Sequence, residues 1–66
     1  MDMRILRLPD VQAKTGLSRS TIYRMEADGQ CPKRIKLGEH AHASGWIESE
    51  WDSWIAERIA ARERAA

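Results

Sequence analysis

The apolar positions of this chain change rhythm several times, and each rhythm predicts an element. Met3 to Leu8 is a short apolar stretch carrying two arginines, long enough for a brief strand or an extended arm. Pro9 then suits a first helical position, where its missing amide would have had no partner, so a helix is expected over Pro9 to Thr15. Val11 and Ala13 should supply its apolar contacts, with Leu8 and Leu17 nearby, and Asp10 puts a negative charge where the helix dipole favours it. Gly16 can take the positive φ that ends this helix, Leu17 can turn inward, and Ser18 can accept from the first free amides of a new helix starting at Arg19. At about 100° per residue, Ile22 and Met25 fall on one side of that second helix. Ser20, Tyr23, Arg24 and Ala27 fall on the other, with Arg19 near the boundary and Gly29 closing the helix. Lys33 to Leu37 alternates basic and apolar residues, which reads as a strand with Ile35 and Leu37 toward the core and Arg34 and Lys36 on the opposite face. A polar segment bracketed by Gly38 and Gly45 leads to Trp46-Ile47, enough for a second strand and hence a hairpin. Ser49 with Asp52 is a variant of the capping box, and Trp51, Trp54, Ile55, Arg58 and Ile59 recur at helical spacing. A last helix from about Glu48 to Arg64 should therefore pack across the back of the helix pair.

The expected fold class is mainly α with a small β-hairpin: one winged helix-turn-helix domain over residues 1–66. So short a chain has little room for a catalytic cleft behind its core, which argues against an enzyme. Three tryptophans take the place of the missing phenylalanine, and tryptophans at this spacing belong to a core more often than to a base-stacking surface. The net charge of +1 decides nothing, but its distribution does. Lys14 to Lys36 holds six basic residues against two acidic ones, a net of +4, whereas Glu48 onward holds three against five, a net of −2. The positive side coincides with the helix-turn-helix and the strand after it, as expected of a nucleic-acid-binding surface.

The residues expected to touch DNA are Arg19, Ser20, Thr21, Tyr23 and Arg24 on the second helix, and Lys33, Arg34 and Lys36 on the strand. Arginine can bond bidentately to guanine, and hydroxyls position a protein on the phosphate backbone. Blander readings stand beside these. Tyr23 can lie against the first helix as partial core, Thr21 can be a first-turn residue at the boundary, and the strand's basic residues can be ordinary edge charges that discourage aggregation. Cys31, His40 and His42 offer only three zinc donors with no paired cysteine motif, so no metal or cofactor is expected. A lone cysteine suits a reducing cytoplasm, and no apolar run approaches the roughly 20 residues of a membrane span.

Several runs also resemble the AlpA family. These are Arg7-Leu8-Pro9-Asp10-Val11, Thr15-Gly16-Leu17-Ser18-Arg19-Ser20-Thr21-Ile22-Tyr23-Arg24, Pro32-Lys33-Arg34-Ile35-Lys36-Leu37-Gly38, Gly45-Trp46-Ile47-Glu48-Ser49-Glu50 and Trp54-Ile55. The most specific is Gly16-Leu17-Ser18-Arg19-Ser20-Thr21-Ile22-Tyr23, and the resemblance spans nearly the whole chain. It implies a MerR-like, excisionase-like winged helix-turn-helix regulator of phage or mobile-element transcription, with no cofactor. Two departures stand out. The segment Glu39 to Ser44 is longer than the usual family loop and lacks the arginine often found there, and Trp51 stands where a smaller aliphatic residue is common.

The function expected is sequence-specific binding of double-stranded DNA by a transcriptional regulator, with residues 19–28 in the major groove. An excisionase that bends DNA is the alternative on the same fold. A protein-interaction module using the C-terminal helix is the alternative of another class. Expected partners are DNA, a second copy on DNA, and RNA polymerase or a recombinase, in the cytoplasm and away from membranes.

Overall fold

A computed structural model describes residues 3–39 and 43–65. In chain order they form strand β1 (Ile5–Leu6), helices α1 (Leu8–Thr15) and α2 (Arg19–Ala27), strands β2 (Ile35–Lys36) and β3 (Ser44–Ile47), and helix α3 (Glu48–Ala65). The α1–turn–α2 unit follows its local chemistry. Gly16 sits at φ 74° and donates its N–H to the Gln12 carbonyl at 2.7 Å, which ends α1. The Thr15 hydroxyl donates to the Val11 carbonyl at 2.7 Å and accepts the Leu17 N–H at 3.2 Å, so the turn is held on both sides. Ser18 accepts the Thr21 N–H at 3.2 Å and opens α2 as its position predicts, a cap typically worth about 1 kcal/mol. Beyond Ala27 the chain turns through Gly29 at φ 71°, with the Gln30 N–H bonded back to the Met25 carbonyl at 2.8 Å.

The sheet is larger than the expected hairpin. β3 is central and antiparallel to both neighbours, with Leu6 opposite Trp46 on one edge and Ile35 opposite Gly45 on the other. The N-terminal stretch thus supplies a third strand, and the Glu48 N–H donates to the Arg4 carbonyl at 2.8 Å where β3 runs into α3. Register decides the faces, because side chains alternate strictly along a strand. Leu6 and Trp46 share the buried face. Ile5, Ile35, Leu37, Gly45 and Ile47 therefore share the other. Ile35 and Leu37 are 41% and 46% exposed, which overturns their expected placement in the core. Period two showed that they lie together but not on which side; the parity of Trp46 does that, and it leaves Arg34 and Lys36 on the Trp46 side. Gly45 is required here, since a β-carbon would come within 2.5 Å of Ile5 Cγ2 and 2.9 Å of the Leu6 carbonyl oxygen. One consequence is measurable. Leu37→Thr should change stability by less than about 1 kcal/mol in denaturant unfolding, whereas Leu6→Ala should cost about 2 to 5 kcal/mol.

The core is Leu6, Val11, Ile22, Cys31, Trp46 and Trp51, with Leu8, Leu17, Tyr23, Met25 and Trp54 packed against it. Val11 is the buried residue of α1, and Ala13, expected beside it, is exposed. Trp51 and Trp54 meet edge to face at 5.2 Å, and the Trp54 indole N–H donates to the Gln30 carbonyl at 2.8 Å, fastening α3 to the end of α2. Ser49 and Asp52 both lie inside α3, so the expected capping box is not its start. Asp52 instead reaches Lys14 at 2.7 Å, and Glu48 lies 3.4 Å from the same ammonium, which links α1 to α3. Hydrogen bonding to Asp52 is the main cause that holds the Lys14 ammonium above its ordinary range. Farther along α3 the apolar stripe runs off the core, and Ile59 is exposed. Among the described residues no helix is long and apolar enough to cross a membrane.

Candidate nucleic-acid interface

Helix α2 buries Ile22 and half-buries Met25, which turns Arg19, Ser20 and Arg24 to solvent. Ser18 donates to the Thr21 hydroxyl at 2.8 Å, so Thr21 completes the cap at the boundary of that face. Tyr23 combines the two readings left open for it. It packs against the core, and its ring is flanked by the Arg19 guanidinium at 5.7 Å and the Arg34 guanidinium at 4.8 Å. Such contacts contribute about 0.5 to 1 kcal/mol at exposed sites and hold the guanidinium planes in fixed attitudes.

Arg34 is more than an edge charge. Its backbone N–H donates to Glu26 at 2.8 Å, its Nε lies 3.4 Å from the other oxygen of that carboxylate, and its guanidinium also reaches Trp46 at 6.0 Å. Glu26 therefore pins the start of β2 beside α2, an acidic residue serving a basic surface. The structure thus brings Arg19, Tyr23 and Arg34 together, with Ser20 and Arg24 on the same helix. Lys33 and Lys36 are exposed, and Lys36, opposite Ser44, lies on the Trp46 face of the sheet.

Beside Tyr23 and Arg34 lies a notch of about 270 Å³ whose other walls are Arg7, Ser44, Trp46 and the first residues of α1. Sequence reading passed over Arg7 and Ser44. The available signal was an arginine directly before the Leu8-Pro9 helix start, where basic charge and a positive helix end coincide. A larger open groove of about 710 Å³ runs between the Gly29–Pro32 turn and α3. Its charged lining is Glu50, Glu57 and Arg58, which does not suit a polyanion.

Cys31 is buried, its Sγ 3.9 Å from the Ile22 carbonyl oxygen. Burial, and then the charge of Glu26, push its thiol above the ordinary range, the opposite of what an activated nucleophile needs. His40 and His42, weighed with Cys31 as zinc donors, lie outside the described residues, as does the middle of the long loop between the hairpin strands. A thiol raised on folding contributes stability that is present below the unfolded pKa, near 9, and is lost as pH rises through the folded value. Alkylation of the native protein at pH 7.5 should accordingly be much slower than in denaturant, and part of the stability lost in alkali should be absent from Cys31→Ala.

A family model described as "Prophage CP4-57 regulatory protein (AlpA)" matches residues 4–59. The chain is 46% identical over 61 residues to an uncharacterized protein, ORF88, of Enterobacteria phage P4, covering 92% of this chain and 67% of that protein. It is 44% identical over 62 residues to the "DNA-binding transcriptional activator AlpA" of Escherichia coli K12, covering 85% of this chain and 86% of that one. No solved structure matches.

Proposed function

The chain belongs to the AlpA family of phage and prophage regulators, and from that premise we propose that it is a DNA-binding transcriptional regulator whose 66 residues act as one winged helix-turn-helix domain. Helix α2 is the recognition helix and enters the major groove; the β2–β3 hairpin is the wing and approaches the neighbouring backbone. The observation that carries this is the meeting of the two elements at Tyr23. Arg19 from the helix and Arg34 from the hairpin flank one ring, so the basic faces of both form one surface. The DNA-binding transcriptional activity of the Escherichia coli relative supports the same reading. Arg19, Ser20, Tyr23 and Arg24 are the residues placed nearest the duplex, with Thr21, Lys33, Arg34 and Lys36 supporting them from the backbone side.

Two copies should share an operator. A single module of this kind buries only about 600 to 1,000 Å² on DNA, too little for tight binding at physiological salt. Exposed Ile59 on α3 offers an apolar position for a contact between copies. Selection of bound sites from a random duplex library tests both statements. Enrichment of one sequence in inverted repeat supports a dimeric regulator, and enrichment in direct repeat supports head-to-tail, excisionase-like assembly. A well-folded sample that enriches nothing would remove the sequence-specific reading.

A further inference from the structure

We propose that the notch between α1, α2 and the wing seats one backbone phosphate of the bound duplex, with Arg7 as a DNA-anchoring residue opposite Arg34. This deepens the DNA-binding reading and rests on it. Three features of the notch point to a phosphodiester. First, two arginines line it, and a guanidinium's planar fork matches phosphate oxygens as an ammonium does not. Second, Arg34 is already held in place. Glu26 lies 3.4 Å from its Nε and Tyr23 stacks at 4.8 Å, so little side-chain freedom is lost when its guanidinium bonds a ligand. Third, the notch lies at the N-terminal end of the eight-residue α1, whose dipole favours an anion even with the Asp10 carboxylate in its first turn, and Tyr23 and Ser44 line the same walls. Trp46, Leu8 and Pro9 supply the apolar part of its lining.

The position of the notch matters as much as its chemistry. It lies directly beside Tyr23, one helical turn from Arg19 and next to Arg24 in the sequence of α2. A phosphate seated there flanks the groove that α2 enters, and it fixes the helix in register. Such a contact carries no base information; it sets the depth and angle from which the other side chains read.

The test uses the full chain and the duplex obtained by selection, remade with a neutral methylphosphonate at one backbone position at a time. The parent protein should lose about tenfold in affinity at one position per bound copy beyond any general effect of the lost charge. Arg7→Ala should bind the unmodified duplex about tenfold more weakly, with a salt slope lower by about 1. It should also be indifferent to the methylphosphonate at that one position while keeping its sensitivity elsewhere. Arg7→Lys should recover only part of the loss. The bond that starts α1 uses the Arg7 backbone N–H to Asp10 at 3.0 Å, which the variants keep; Arg7→Gln, which retains the side-chain length, serves if alanine disturbs the melt. Unchanged affinity in Arg7→Ala, or weaker binding with the parent's pattern of sensitive positions intact, would overturn the proposal while leaving the DNA reading standing. A folded parent protein that binds no duplex would remove both.

Discussion

Trp51→Ala is expected to remove about 3 to 5 kcal/mol of stability, a large share of what this chain has. Trp51 is fully buried and is the largest side chain so enclosed, packed edge to face on Trp54 beneath α3. Removing a buried tryptophan typically costs about 3 to 5 kcal/mol. A chain of this size has only roughly 3 to 10 kcal/mol of total stability, so one substitution can exhaust most of it. Trp51→Phe sharpens the argument. The Trp51 indole N–H is buried without a hydrogen-bond partner among the described residues. Phenylalanine keeps most of the apolar contact and drops that orphaned donor, so the two terms oppose each other and the net change should be within about 1.5 kcal/mol. Thermal melts followed by circular dichroism distinguish these outcomes. A cooperative transition in Trp51→Ala within a few degrees of the parent would show that α3 is not fastened through this residue. The result also bears on function, because Trp51 shares one core with Ile22 of α2 and any DNA-binding assay on an unfolded variant is uninformative.

What could be read from the sequence divides along a physical line. The α1–turn–α2 unit was legible because its determinants are local: Gly16 needs φ > 0, and Ser18 meets Thr21 three residues away. Trp51 and Trp54 were legible as core because they recur at helical spacing along α3. The sheet was only half legible. Pairing of β1 with β3 joins Leu6 to Trp46 across 40 positions, and no local pattern announces such a contact. Without that third strand the alternation from Lys33 to Leu37 has two equivalent faces, and the apolar one was taken as buried. The burial of Leu6 and Trp46 reverses the choice. The same reversal builds the candidate site, since it brings Arg34 over Tyr23, and Glu26, an acidic residue with no evident place in a basic surface, becomes the clamp that holds it there. Arg7 escaped notice for a related reason. The notch it lines is completed by Tyr23, Arg34 and Ser44, each distant in sequence.

Arg24→Ala should produce a large loss of DNA affinity with an unchanged melt. Arg24 is exposed on α2 and, unlike Arg19 and Arg34, it is not stacked on Tyr23, so among the described residues no ring contact holds its guanidinium. A bidentate pair with guanine is worth about 1 to 3 kcal/mol of discrimination, which corresponds to roughly 5- to 150-fold in affinity for the selected duplex. The form of the loss identifies the contact. If Arg24 reads a base edge, the variant accepts any base pair at one operator position while its other preferences and its salt slope hardly change. If it holds a phosphate, affinity falls by a similar factor on every sequence and the salt slope drops by about 1. Binding of Arg24→Ala within twofold of the parent would turn the reading of this helix toward Ser20 and Arg19. Comparison with Arg7→Ala then separates the two kinds of contact on one molecule: a base-reading Arg24 would govern which sequence is bound, and a phosphate-holding Arg7 would govern how firmly any sequence is held.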